Sequence, residues 1–139
     1  MKIVTAAFLL ILSASTVLGA GSIVINDPWV REVPPVSSVS AVYMVIDNTG
    51  EEDDKLTGVR SKASRHSELH TTKIDDNNIA TMIKVDYLTL PAGEQTELKP
   101  SGSHIMLREL KSPLKAGDKV LVELIFEKSG TKIIEAEVR

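Results

Sequence analysis

The stretch KVLVELIFEKSGTKIIEAEVR, residues 119–139, alternates apolar and polar side chains on either side of a short turn signal. Alternation with a period of two is typical of strands that bury one face. Ser129 and Gly130 supply residues that favour a tight connection. The residues expected to face inward are Val120, Val122, Leu124 and Phe126 on the first arm and Ile134, Ala136 and Val138 on the second. This stretch therefore predicts a β-hairpin.

Short runs of the same kind fill the chain upstream of this hairpin. VSAVYMVIDNTG, residues 39–50, is apolar on both alternating faces, which is typical of a strand covered on both sides. KLTGVRS, ELHTTKI, IATMIKVDY and QTELKP are shorter strand candidates between turn residues. We find no amphipathic helix of three turns after residue 20, and Pro34–Pro35 and Pro113 mark loops or edges. Seven or eight short strands predict one all-β domain, an antiparallel β-sandwich.

Composition sets limits on the class of protein. The 139 residues leave room for one ordinary domain, and 42% hydrophobic with 25% charged residues is typical of a globular protein. The formal net charge is −3, with no run of Lys or Arg that would favour nucleic acid or an anionic membrane surface. We therefore expect neither as a partner.

The first twenty residues differ from the rest. A positive start, MK, precedes the apolar run IVTAAFLLILSA and the small residues STVLGAGS, which is the pattern of a cleavable signal peptide. We predict a signal peptide over residues 1–20, cleaved after Gly19 or Ala20, and a mature domain over 21–139 without stable membrane insertion. The alternative is an uncleaved anchor helix, which is disfavoured because the apolar run is shorter than the ~20 residues that a membrane span needs. The chain has no Cys, so we expect no lipid attached there and no disulfide. These features favour an exported protein.

SHIMLREL, residues 103–110, carries an unusual side-chain pattern. Ile105 and Leu107 are expected on the buried face, which leaves His104 and Met106 together on the polar face. Met82, in IATMIKVDY, also lies where the alternation indicates a polar position. A hairpin folded about Asp76 would place His70 opposite Met82. If the strand of residues 103–110 lies beside this hairpin, the two pairs converge. The sequence thus predicts a cluster of two imidazoles and two thioethers.

The chemistry of such a cluster indicates one metal. Thioethers are soft, neutral ligands that suit Cu(I) and bind Ca²⁺, Mg²⁺ or Zn²⁺ weakly, and imidazole accepts copper. We therefore expect His70, Met82, His104 and Met106 to bind Cu(I). The acidic runs EEDD (51–54) and DDNN (75–78) lack the spacing of a calcium loop, so we expect solvated turns there. We expect His66 to be a solvated surface residue and Met44 a core residue.

The spacing of these residues carries a family resemblance. From His70 the chain runs through Thr71, ten residues, Met82, twenty-one residues and then His104-Ile105-Met106. This resembles the H(M)-x10-M-x21-H-x-M pattern of the periplasmic copper chaperones of the PCuAC family. ELHTT, PAGEQTELKPSGSHIML, LKSPLKAGDKV and YMVIDNTGEEDDKLTGV are similar to that family too. One departure is Thr71, which stands at a position where many members have Met.

The resemblance implies a cupredoxin-like β-sandwich with Greek-key topology that binds one Cu(I) through His70, Met82, His104 and Met106 at an exposed site. It further implies delivery toward the dinuclear copper centre of cytochrome c oxidase, with the copper-bearing oxidase subunit and a thiol-containing chaperone as partners. We expect the protein to be a monomer. We also expect no enzymatic activity, because the sequence contains neither a Gly-x-Ser-x-Gly elbow nor a Gly-rich phosphate loop.

Three other functions are compatible with a β-sandwich, to different degrees. A blue-copper electron carrier would share the sandwich but needs a cysteine thiolate, which the chain lacks. A copper sequestration protein without a dedicated recipient would use the same four ligands. A structural sandwich domain would carry the His and Met residues incidentally and would not respond to Cu(I).

Overall fold

A computed structural model of the protein describes residues 22–139, and these residues form ten β-strands without a helix. The strands are β1 (Ile23–Val30), β2 (Val39–Asn48), β3 (Asp54–Ser61), β4 (Ser64–Ile74), β5 (Ala80–Val85), β6 (Leu88–Leu90), β7 (Gln95–Leu98), β8 (His104–Leu110), β9 (Lys119–Phe126) and β10 (Gly130–Val138). The all-β class predicted from the alternation is confirmed. The predicted signal peptide lies outside the described residues, and within 22–139 no helix could span a membrane.

The strands are hydrogen-bonded in the order β5-β4-β8-β2-β1-β10-β9-β3-β6, and β7 pairs with β2. All pairs are antiparallel except β1 with β10, which run parallel. Buried side chains from both halves of this path belong to a single core cluster, so the strands fold over one another as a sandwich. The C-terminal hairpin forms as predicted, with Ile134 opposite Val122 and Ala136 opposite Val120.

Ten strands form instead of the predicted seven or eight. Strand β1 was not predicted, because Asp27 and Pro28 interrupt it; the register with β2 shifts there, and Asp27 has a φ of 46°. Strand β6 has only three residues, too few for a periodic signal. These omissions left the fold class unchanged.

Two acidic runs behave differently from each other. The DDNN run forms an exposed turn, as predicted. The prediction for the EEDD run was wrong at its last residue, because Asp54 is only 4% exposed and opens strand β3. Its carboxylate accepts hydrogen bonds from Lys128 and Ser129 at the turn of the C-terminal hairpin. The prediction was wrong because the donors lie more than 70 positions away in the chain.

Candidate metal centre

Three neighbouring strands, β5, β4 and β8, bring the predicted ligands together on one face. His70 on β4 lies directly opposite His104 on β8, and the two ring centroids are 5.7 Å apart with the planes 29° from parallel. Met106 follows two residues after His104 and therefore projects from the same side. We call this side, which carries His70, Met82, His104 and Met106, the donor face.

Met82 reaches the donor face in a register that differs from the prediction. It lies opposite Thr72, and His70 lies opposite Lys84, whereas the predicted hairpin placed His70 opposite Met82. The five-residue turn is centred on Asn77 instead of Asp76, which shifts the pairing by two residues. Since side chains alternate with a period of two, this shift keeps Met82 on the same face as His70. The two residues are diagonal neighbours, with an expected separation of about 7–8 Å.

The His104 imidazole is held by the backbone of the preceding loop. Its Nδ1 donates a hydrogen bond to the carbonyl oxygen of Gly102 at 3.0 Å. In the neutral ring this leaves the lone pair on Nε2, the nitrogen that can accept a metal. The residue is 6% exposed, and the Tyr43 ring lies 6.3 Å from it between centroids. His104 is thus a recessed member of the predicted ligand set.

The His70 imidazole is held by a carboxylate. Its Nε2 and Oε2 of Glu68 are 2.9 Å apart, and because the carboxylate can only accept, Nε2 carries the hydrogen. Nδ1 is buried, and among the described residues it has no hydrogen-bond partner. An unpartnered buried polar atom typically costs about 1–3 kcal/mol. Its lone pair is therefore available to a metal ion.

A cleft of about 380 Å³ opens beside these groups. Met82, His104 and Met106 line it, and Pro34 and Pro100 lie on its walls. His70 does not line the cleft and stacks against His104 instead. Met82 is 57% exposed on the edge strand β5, whereas Met106 is half-buried. The proposed donors therefore range from recessed to openly accessible.

The charge around the donor face is balanced by an ion pair. Oε1 of Glu68 accepts a hydrogen bond from Arg108 at 2.9 Å. The hydrogen bond from His70 is the main reason why the pKa of Glu68 lies below its ordinary value; burial opposes it, and Arg108 and Lys84 add to the lowering. Glu68 therefore stays ionised, and it is the group that our sequence reasoning missed. The i, i+2 spacing from Glu68 to His70 could have indicated a shared face.

Two neighbouring residues stay away from the donor groups. His66 is exposed, as predicted, and lies 3.6 Å from a carboxylate oxygen of Glu109. Thr71, at the optional Met position, lies on the opposite face of β4 and its hydroxyl contacts that of Ser103 at 2.9 Å. No cluster of three or more His, Cys, Asp or Glu side chains forms a metal site within residues 22–139.

A protein-family model described as "Putative lipoprotein LpqE-like" matches residues 23–138. The chain belongs to the LpqE-like family. A curated relative of this LpqE-like chain, a "Putative lipoprotein" of Leifsonia xyli subsp. xyli, is 33% identical over 121 residues, which cover 86% of this chain and 71% of that protein. The word lipoprotein describes those proteins, and the 139 residues here contain no cysteine.

Solved structures of PCuAC domains also resemble the LpqE-like chain. The copper-bound PCuAC domain from PmoF2 has a TM-score of 0.74 and 27% identity, over 87% of this chain and 95% of that domain. The Cu(I) form of DR1885 from Deinococcus radiodurans has a TM-score of 0.68 and 32% identity, over 84% of this chain and 76% of that one. The predicted resemblance to the PCuAC family and its cupredoxin-like fold is confirmed.

Proposed function

We propose that this protein is an exported copper chaperone that binds one Cu(I) through His70, Met82, His104 and Met106. The observation that carries the proposal is the donor face itself, on which two imidazoles and two thioethers project from three neighbouring strands. The copper-bound and Cu(I) forms of the similar PCuAC structures support the choice of metal.

The donor chemistry supports Cu(I) over harder ions. Both thioethers are soft and neutral, and each imidazole has one nitrogen engaged by the protein and the other left with its lone pair. His70 would bind through Nδ1 and His104 through Nε2. The set contains no carboxylate ligand, so a monovalent ion would be favoured over a divalent one.

Copper is the cargo of this protein, and its release needs a ligand that an incoming group can displace. Met82 is suited to this because it is the most exposed of the four and lies on the edge strand β5. We propose that a recipient ligand enters through the cleft and replaces Met82 first, while the recessed imidazoles hold the ion. The activity is ligand exchange, not catalysis of a chemical reaction.

The partners and compartment follow the resemblance. We propose delivery toward the dinuclear copper centre of cytochrome c oxidase, with a thiol-containing chaperone as a further partner, by a monomer in the periplasm. The signal-like pattern of residues 1–20 supports export. Delivery predicts that copper moves from this protein to the isolated copper-binding domain of the oxidase. Sequestration predicts no transfer, because it has no dedicated recipient.

The direct test is an anaerobic Cu(I) titration against a competing chelator. Met→Leu substitution removes the sulfur while nearly conserving volume, so Met106→Leu and Met82→Leu should fold normally. We expect both substitutions to weaken Cu(I) binding about a hundredfold or more. Loss of a direct ligand should cost at least as much affinity as loss of a residue that only hydrogen-bonds to a ligand. Met44→Leu is the matched control, because Met44 lies in the core.

The histidines are tested in the same titration. His70→Ala should weaken Cu(I) binding by orders of magnitude, whereas the exposed His66→Ala should leave it unchanged. Cu(I) affinity that is equal in the parent, Met106→Leu and His70→Ala would contradict the assignment. The structural-domain alternative predicts no Cu(I) binding by any of these proteins.

A further inference from the structure

Glu68 occupies a special position on strand β4. Alternation places Glu68 on the same face as His70, and the side chains are only 14% and 13% exposed. Both carboxylate oxygens are engaged, Oε2 by Nε2 of His70 and Oε1 by Arg108, each at 2.9 Å. Glu68 therefore connects a basic residue of β8 to a histidine of β4 without facing the cleft itself.

This contact decides which nitrogen of His70 carries the hydrogen. A neutral imidazole has one N–H and one lone pair, and the carboxylate can only accept a hydrogen bond. The contact with Glu68 thus favours the Nε2–H tautomer and leaves the lone pair on Nδ1. That nitrogen is the buried atom without a partner in the described part of the chain.

The two histidines are held in different ways. Nδ1 of His104 donates to the backbone carbonyl of Gly102, which no side-chain substitution removes. Nε2 of His70 depends on the Glu68 side chain, which in turn depends on Arg108. Carboxylates placed behind a metal-binding imidazole orient the ring and raise its basicity.

We propose that Glu68 is a positioning residue for the copper ligand His70 and that Arg108 holds the Glu68 carboxylate in place. The inference rests on the proposed function for the identity of the metal. The tautomer of His70 in the copper-free protein is a property of the chain alone.

The first experiment measures this tautomer. Long-range ¹H–¹⁵N correlation spectra of the copper-free protein at neutral pH distinguish the protonated from the unprotonated ring nitrogen of His70. We expect Nε2–H in the parent and in Glu68→Gln, whose amide oxygen can still accept the hydrogen bond. Glu68→Ala should give a mixture of tautomers. Glu109→Ala is the matched control, because Glu109 contacts Arg65 and His66 but none of the proposed ligands.

The second experiment measures Cu(I) affinity by competition with a chelator. We expect Glu68→Ala to bind Cu(I) about 10–100-fold more weakly than the parent, Glu68→Gln to lose less, and Glu109→Ala to match the parent. Arg108→Ala should weaken binding less than Glu68→Ala, since the carboxylate remains. Circular dichroism verifies that each variant is folded. If Glu68→Ala is unstable, Glu68→Gln serves as the test variant, because it keeps the side-chain volume.

The outcomes separate the two proposals. An unchanged His70 tautomer in Glu68→Ala, or a Cu(I) affinity of this variant within twofold of the parent, overturns the positioning role while leaving the chaperone proposal intact. Failure of the parent to bind Cu(I) would overturn the proposed function, and the tautomer spectra would still decide the role of Glu68 toward His70.

Discussion

The carboxylate of Asp54 connects the start of strand β3 to the turn of the C-terminal hairpin. Its oxygens accept hydrogen bonds from the backbone N–H groups of Lys55, Lys128 and Ser129 and from the Ser129 hydroxyl. Burial raises the pKa of Asp54, but these hydrogen bonds outweigh burial, so the pKa lies below its ordinary value of 3.8. The ionised form is therefore the one that stabilises the fold.

This residue leads to a prediction about stability and pH. Because the pKa of folded Asp54 is lowered, its contribution is complete above pH 3.8 and is lost as the pH falls from there through the folded pKa. Asp54→Asn should lower the free energy of unfolding by about 2 kcal/mol at pH 7, and the difference from the parent should shrink at pH 3 and below. Urea denaturation at the two pH values measures this.

The control for Asp54 is its exposed neighbour. Asp53 accepts one hydrogen bond, from the N–H of Ala92, and an amide oxygen can replace it. Asp53→Asn should therefore change the free energy of unfolding by less than about 0.5 kcal/mol. A difference between parent and Asp54→Asn that stayed constant from pH 7 to pH 3 would contradict the linkage argument.

At the scale of elements, the hairpin of β4 and β5 decides where Met82 lies. Oδ1 of Asp75 accepts hydrogen bonds from the N–H groups of Asn77 and Ile79, both at 2.9 Å. Asn78 adopts a φ of 63°, a conformation that Asn tolerates better than most residues. This turn geometry sets the pairing of Thr72 with Met82.

We expect Asp75→Ala to loosen this hairpin. The loss of two hydrogen bonds in an exposed turn should lower the free energy of opening of this hairpin by about 1 kcal/mol, because water replaces part of the lost bonding. Amide hydrogen exchange in β5 should become faster, and Cu(I) affinity should fall by less than in Met82→Leu. Asp76→Ala is the control, since the Asp76 side chain makes no hydrogen bond within residues 22–139. Equal exchange rates in both variants would refute the role of Asp75.

At the scale of the whole molecule, the strands that carry the proposed ligands are fixed by the core. Leu69 of β4 and Ile105 and Leu107 of β8 are buried residues of the single core cluster and alternate with donor-face residues. Strand β5 is the exception, because five of its six residues are exposed. The proposed ligands other than Met82 therefore lie on a framework whose position depends on the entire fold.

Cu(I) should consequently stabilise the whole fold. An ion that binds only the folded state adds about 4 kcal/mol to the free energy of unfolding when its free concentration exceeds Kd a thousandfold. We expect anaerobic calorimetry to show a higher Tm with Cu(I), and a much smaller rise for the double variant Met82→Leu/Met106→Leu. An identical Tm with and without saturating Cu(I) would mean that no binding site depends on the fold.

Much of this architecture was readable from residue types and their order. The period of two in residues 119–139 and 103–110 predicted which side chains are buried, because consecutive strand residues face opposite sides. It also placed His104 and Met106 together on the face opposite Ile105 and Leu107, although His104 is itself buried there. The spacing of the four proposed donors was enough to indicate a PCuAC-type protein. All of these are local properties of the chain.

Features that depend on which strands meet were beyond such reasoning. The pairing of Met82 with Thr72 follows from the geometry of one turn, and the contact of Glu68 with Arg108 joins residues 40 positions apart. Asp54 looked like a solvated residue because its partners lie 74 and 75 positions away. Periodicity reports the face on which a side chain lies, whereas its neighbours across the sheet are set by packing of the complete chain around one core.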